Sequence, residues 1–246
     1  MRAGASVSRW LLPPALARTL KLAMASAIIV AAGSSQRMGF DKLTASLCGK
    51  PIVIHSLDRF EECDLIDEIA LVIRSDRHEE FQQMIRKSGL KKVRWLLDGG
   101  KERHLSVWNG LRQLPSETRI VAVHDAARPM VSSELIGRAV QMAEECGAVS
   151  VAAPIVETLK KADTNQEVVA SIDREGVWGM QTPQVFRFDW LLDAYQRIVG
   201  AGQSVTDEVS AVQAAGYPVR LLLNPDWNIK ITFQRDLDLA ERLIGG

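Results

Sequence analysis

The sequence predicts a doubly wound α/β domain built on a mostly parallel sheet. Short Val/Ile/Leu/Ala runs alternate with helix-length patterned segments from Ala27 onward. Those runs lack an in/out alternation, so both faces of each strand are covered, as in a sheet with helices on each side. A turn-rich stretch near 163–166 breaks this rhythm and predicts a hairpin.

The elements follow in order. Ala27–Ala32 reads as a buried strand, and Pro51 opens a helix at its favoured first position, running to about Cys63. Ile69–Ile73 is the next strand. Asp76 is placed to cap the following helix and Gly89 to end it. Val93–Leu97 is a third strand, followed by Asp98-Gly99-Gly100 and a helix to about Leu114. Ile120–Val123 is a fourth strand, and Ser132 or Ser133 starts a helix that ends near Gly147. Val149–Ala153 is the fifth. Residues 155–162 and 168–173 then flank Asp163-Thr164-Asn165-Gln166, a polar hairpin that reads as an arm at about 155–175. An exposed arm with unpaired edges suits a dimer contact. Helices at about 188–200 and 206–215, a strand at Val219–Leu223 and a helix from about Arg235 to Ile244 complete the chain.

Composition excludes several classes. The chain has 246 residues, with 30 Lys+Arg against 30 Asp+Glu. A chain without basic excess is a poor partner for nucleic acid, which demands surplus cations. Cys48, Cys63 and Cys146 are widely spaced, so neither a disulfide framework nor a structural zinc site is expected, and a reducing, cytoplasmic setting is. The four histidines show no metal-ligand spacing. The apolar stretch before Gly33 is too short to span a bilayer. Residues 1–26 carry four cations and no acid, the flavour of a targeting peptide, but Pro13-Pro14 interrupts any amphipathic helix there. They are read as an extension outside the fold, leaving 27–246 as a single domain.

In doubly wound sheets ligands bind beyond the carboxyl ends of the strands, so the polar loops there are the candidates. The first, Ala31-Ala-Gly-Ser-Ser-Gln-Arg-Met-Gly39, is followed by Asp41-Lys42. Its Gly and Ser residues can present backbone N–H groups to an anion, with Arg37 and Lys42 neutralising phosphate. A tight turn with two solvated cations explains it equally well. It matches neither the Walker A loop nor the dinucleotide fingerprint. Gly99-Gly100 permits close approach of a flat ligand, or is an ordinary turn. Asp125, in His124-Asp-Ala-Ala-Arg-Pro129, can bind a hydroxyl or hold a metal–phosphate complex through water, or serve a structural salt bridge. Thr206 fits a helix N-cap. Lys230 lies in an apolar, strand-like run, facing either solvent or an anion. Cations, hydroxyls and glycines dominate, an inventory for phosphoryl or nucleotidyl transfer by positioning and charge neutralisation.

Together these blocks resemble the 2-C-methyl-D-erythritol 4-phosphate cytidylyltransferase family. The carrying residues are 31–42, 98–107 (DGGKERHLSV), 123–129 (VHDAARP), 152–160, 173–184 (DREGVWGMQTPQ), 206–211 (TDEVSA) and 228–232 (NIKIT). The resemblance implies a nucleotide-diphosphosugar-transferase-like fold and a homodimer that exchanges its arms. It implies transfer of CMP from CTP, accompanied by Mg²⁺, to methylerythritol phosphate, with release of pyrophosphate. It also implies residue roles. Arg37 and Lys42 would grip the CTP phosphates, and Arg174 and Lys230 the substrate's phosphate. Ala31, Ala32, Gly33, Gly100, Lys101 and Ser106 would line the cytidine pocket. Asp125, Arg128, Thr158, Thr182 and Thr206 would complete the polyol site, with Thr158, Arg174 and Arg128 acting across the dimer. No direct metal ligand is assigned. Gln36, Lys101, Leu105 and Trp227 depart from the family pattern. The alternatives are a ribitol-5-phosphate cytidylyltransferase, against which TDEVSA argues, and a non-catalytic nucleotide-binding scaffold.

Overall fold

A computed structural model describes residues 24–33 and 41–245. Strand β1 (Met24–Val30) starts before the expected boundary, so Met24, Ala25 and Ser26 belong to the sheet rather than to an extension. A short hairpin, β2 (Ser46–Leu47) and β3 (Lys50–Pro51), leads into α1 (Ile52–Glu62). Pro51 therefore sits one residue before the helix, at the end of β3. Strand β4 (Glu68–Ile73) precedes a 3₁₀ turn and α2 (His78–Ser88). Asp76 lies inside that turn and pairs with Arg74 instead of capping α2, whereas Gly89 ends the helix as expected.

Strand β5 (Val93–Asp98) leads to α3 (Arg103–Leu111), and β6 (Thr118–Asp125) to α4 (Ser133–Cys146). Ser132 caps α4 by accepting from the Leu135 N–H at 3.1 Å. After β7 (Ala148–Pro154), strands β8 (Leu159–Ala162) and β9 (Val168–Ile172) form the exposed arm. Its turn is closed by Asp163 Oδ1, which accepts from the N–H groups of Asn165 and Glu167. Strand β10 (Trp178–Arg187), helices α5 (Phe188–Gly200) and α6 (Glu208–Ala214), strand β11 (Arg220–Leu223) and helix α7 (Gln234–Gly245) complete the chain.

The central sheet has seven strands in the order β11-β7-β10-β6-β1-β4-β5. Strand β10 runs antiparallel to both its neighbours, and the other pairings are parallel. This is the expected doubly wound sheet with one addition. Residues 178–187 carry Gly179 and Pro183, which argue against a central strand. Pro183 is accommodated where the pairing with β7 slips, between Met180 and Gln184, while Gly179 stays paired with Ala153. Residues 228–232, read as strand-like, form no strand.

Successive residues of β1 serve two cores. Ala27 and Ile29 pack with α1, α2 and α4, through Leu57, Phe60, Phe81 and Ile136, whereas Ile28 packs with α3, α5 and α6. A smaller third cluster joins Leu47 and Ile52 to Ile231 and to Leu237 and Ala240 of α7. Among the described residues no helix is long and apolar enough to cross a membrane.

Tight packing at Gly147 yields a test. It closes α4 at φ 90°, and an added Cβ would lie 2.3 Å from the Trp190 ring. Gly147→Ala is expected to destabilise the protein by about 2–3 kcal/mol, from backbone strain plus overpacking. Gly200→Ala, which meets nothing within 4 Å, should change stability by less than about 0.5 kcal/mol. Urea unfolding of the two variants checks the contrast.

Candidate active site

The sheet order reverses around β1, which lies between β4 and β6. In an open α/β sheet the ligand crevice lies there, beyond the carboxyl ends of the strands. The loop after β1 carries Ala31, Ala32 and Gly33, and the loop after β5 carries Gly99 and Gly100. These loops touch: a Cβ on Gly99 would fall 2.2 Å from the Ala32 Cβ, so no side chain fits there. Ser106 then closes the second loop. Its Oγ accepts from the Gly100 N–H at 3.0 Å and donates to the Glu102 carbonyl at 3.2 Å. Lys101 is exposed at the rim.

The chemical centre is Asp125, the last residue of β6. Its Oδ1 receives the Arg103 Nε at 2.9 Å, and its Oδ2 receives the Lys230 Nζ at 2.7 Å, with Arg128 Nε 4.0 Å away. Burial pushes the Asp125 carboxyl up, but Arg103, Lys230 and Arg128 outweigh it and hold the group well below the usual carboxylate range. Arg103 is also gripped by Glu208, which is fully buried, at 2.6 and 3.0 Å. Burial works against the Arg103 charge, and the carboxylates of Glu208 and Asp125 more than restore it.

Local structure brings Lys230 here. Ile229 and Ile231 pack into the third cluster, so the residue between them faces the other way. The Ile231 N–H donates to the Ala127 carbonyl at 2.8 Å, and Lys42 Nζ donates to the Ile231 carbonyl at 2.8 Å. Of the two readings of Lys230, pairing with an anion is the one realised. Arg128, expected to act across a dimer with Thr158 and Arg174, instead stays in its own chain's cluster: it follows Asp125 by three residues and donates through Nη1 to the Asn228 carbonyl at 2.7 Å.

Beneath Asp125 runs a hydrogen-bond chain. The His124 Nε2 faces the Arg128 carbonyl at 3.2 Å, so Nε2 carries the proton, because a carbonyl only accepts. Nδ1 is then an acceptor and receives the Thr182 hydroxyl at 2.9 Å, while the Thr182 Oγ accepts from the Asp125 N–H at 3.2 Å. Burial pushes the His124 imidazole down to about 4.

Ala31, Ala32, Gly33, Lys42, Gly100, Ser106, Asp125, Arg128, Thr182 and Lys230 thus lie around one crevice. Thr206 is exposed just before α6 and is not its cap; Asp207 is, accepting from the Ser210 N–H at 3.0 Å. Arg37 lies outside the described residues. Thr158 and Arg174 are exposed on the arm, and Arg174 donates to the Val156 carbonyl at its base, so their own chain does not join them to Asp125. Sequence reasoning gives no role to Arg103, which lies in the 98–107 block, or to Glu208, which lies in the 206–211 block. Asp125 and Glu208 lie 22 and 105 positions from Arg103; no local spacing reports such a triad.

The sequence model of the 2-C-methyl-D-erythritol 4-phosphate cytidylyltransferase family matches residues 25–245. The chain belongs to that family. It is therefore an enzyme, a nucleotidyltransferase. A protein of that name from Alkaliphilus metalliredigens (strain QYMF) is 42% identical over 220 residues, covering 88% of this chain and 91% of the relative. Among solved structures, 4-diphosphocytidyl-2C-methyl-D-erythritol synthase from Anaerococcus prevotii DSM 20548 superposes with a TM-score of 0.80 at 29% identity, covering 91% of this chain and 97% of its own. The Francisella tularensis cytidylyltransferase does so with a TM-score of 0.76 at 30% identity, covering 89% and 99%.

The neutral, buried His124 links stability to pH. The unfolded chain protonates this side chain near pH 6.5 and the folded chain near 4, so its contribution is complete above about pH 6.5 and is lost as pH falls to about 4. The loss amounts to roughly 3 kcal/mol. Asp125, with its lowered pKa, extends the decline below the usual carboxylate range. Nuclear magnetic resonance of the imidazole checks this; a His124 midpoint near 6.5 would refute it.

Proposed function

We propose that this enzyme transfers CMP from CTP to 2-C-methyl-D-erythritol 4-phosphate, forming CDP-methylerythritol and pyrophosphate for isoprenoid biosynthesis. The observation that carries this reading is the gathering of Lys42, Arg103, Arg128 and Lys230 around one crevice in a chain of zero formal net charge. A phosphate oxygen of the polyol ester attacks the α-phosphorus of CTP, and the bond from that phosphorus to the pyrophosphate oxygen breaks. The nucleophile is already an anion, so the barrier is repulsion between anions and no general base is needed.

Lys42, with Arg37, stabilises the charge that grows at the α-phosphate. Lys230 and Arg174 hold the polyol phosphate in line. The Ala31–Gly33 loop, Gly100, Lys101 and Ser106 enclose the cytidine, and Asp125, Arg128, Thr158, Thr182 and Thr206 receive the polyol. Both Asp125 oxygens are engaged by cations, and no group of three or more His, Cys, Asp or Glu side chains among the described residues could hold a metal. This donor set fits a Mg²⁺ carried in on CTP, which phosphate oxygens and water would hold and which Asp125 would meet through water. When bound, the ion would neutralise phosphate charge.

The arm supports a homodimer. Val156, Val168, Val169 and Ile172 are 71%, 66%, 57% and 46% exposed, an apolar surface that a second copy would cover. In that assembly Thr158 and Arg174 serve the partner's crevice. Three free cysteines suit a reducing, cytoplasmic setting.

Pyrophosphate release with CTP is expected for methylerythritol phosphate and not for ribitol 5-phosphate. Lys42→Ala should lower kcat by about 10²–10³-fold, and unchanged turnover would refute its role. Arms that cross make a further prediction. Mixed, Lys42→Ala and Arg174→Ala chains should regain activity, because one crevice of each mixed dimer is intact; no recovery on mixing would place the arm in its own chain's site.

A further inference from the structure

We infer that Glu208 is a positioning residue for this reaction: by occupying the end of the Arg103 fork it limits Arg103 to one oxygen of Asp125 and leaves the other for Lys230. The inference rests on the function proposed above. Glu208 has no part in that scheme, and Arg103 enters it only as one of the gathered cations.

Glu208 is 0% exposed, and a carboxylate buried so completely persists only when paired and hydrogen-bonded. Its partners are Arg103 Nη1 at 2.6 Å, Nη2 at 3.0 Å, and the Tyr195 hydroxyl, which donates at 3.0 Å. The turn that carries it is held as well. The N–H groups of Glu208 and Val209 donate to Gln184 Oε1 at 3.1 and 3.2 Å, and Gln184 Nε2 donates to the Asp207 cap at 3.0 Å. Glu208 thus cannot follow Arg103; Arg103 must come to Glu208.

The guanidinium is a planar fork that favours two-point contact with a carboxylate. Glu208 takes that two-point contact through both terminal nitrogens. Held in that position, Arg103 meets Asp125 through Nε, which reaches Oδ1 at 2.9 Å, and Oδ2 keeps the Lys230 ammonium at 2.7 Å. Without the Glu208 charge, the carboxylate that the fork already touches is Asp125. A two-point grip there claims Oδ2 and displaces Lys230 from the position in which it meets the polyol phosphate. The same tether spans the crevice: Arg103 opens the helix that carries Ser106, and Glu208 follows Thr206 by two residues.

Two variants test this. Glu208→Gln keeps shape and removes charge; Arg103→Lys keeps charge and removes the fork. In Glu208→Gln the KM for methylerythritol phosphate is expected to rise at least tenfold, with the KM for CTP changed less than threefold. A second readout needs no turnover. Acetylation of the Lys230 ammonium in the full-length protein, followed by peptide mass spectrometry, should run at least threefold faster in Glu208→Gln and at the wild-type rate in Arg103→Lys, which has no fork to claim Oδ2. Circular dichroism and thermal unfolding identify which variant is folded. Wild-type labelling of Lys230 or equal loss for both substrates in Glu208→Gln, or faster labelling in Arg103→Lys, would overturn the inference. An inactive wild-type enzyme would sink the functional proposal instead, while the labelling result still decides whether Glu208 places Lys230.

Discussion

The crevice depends on one buried carboxylate. Asp125 closes β6 with Arg103 on one oxygen and Lys230 on the other, and Arg128 near the second. A carboxylate this deep stays ionised because cations surround it, and those cations stay together because it is ionised. The arrangement concentrates positive charge in a protein whose formal net charge is zero. Glu208 returns part of the balance by holding Arg103 from behind.

The sheet makes this cluster possible. Strands buried on both faces leave no room for charge along their length, so polar chemistry collects at their ends. The order reversal around β1 opens a gap between loops at those ends. Strand β10 enters antiparallel beside β6, and its slipped register carries Gln181 and Thr182 into the crevice. Gln181 Oε1 accepts from Asn224 and Asn228, and Asn228 also donates to the Thr182 carbonyl, which ties the 228–232 segment to the sheet.

Much of this was legible in the chain. The runs at Ala27, Ile69, Val93, Ile120 and Val149 read as two-sided strands because apolar side chains are continuous there. The hairpin around Asp163 was legible because its turn is closed by its own side chain. Strand β10 was not, since Gly179 and Pro183 argue against a strand unless a neighbour tolerates a slip in pairing. Lys230 was open in sequence. A lysine flanked by isoleucines is compatible with solvent or an anion, and only the packing of Ile229 and Ile231 against α7 selects its direction.

The sequence by itself determined the alternation of elements, the glycine-bearing loops and the family to which the chain belongs, because these rest on patterns within a few residues of each other. Tertiary structure alone decided that Arg103 pairs with both Asp125 and Glu208, that Asp207 rather than Thr206 caps α6, and that Arg174 turns to the Val156 carbonyl at the base of its own arm. Such pairings join residues up to 105 positions apart. Their partners are chosen by where the sheet ends and by the energetic cost of leaving a buried charge alone.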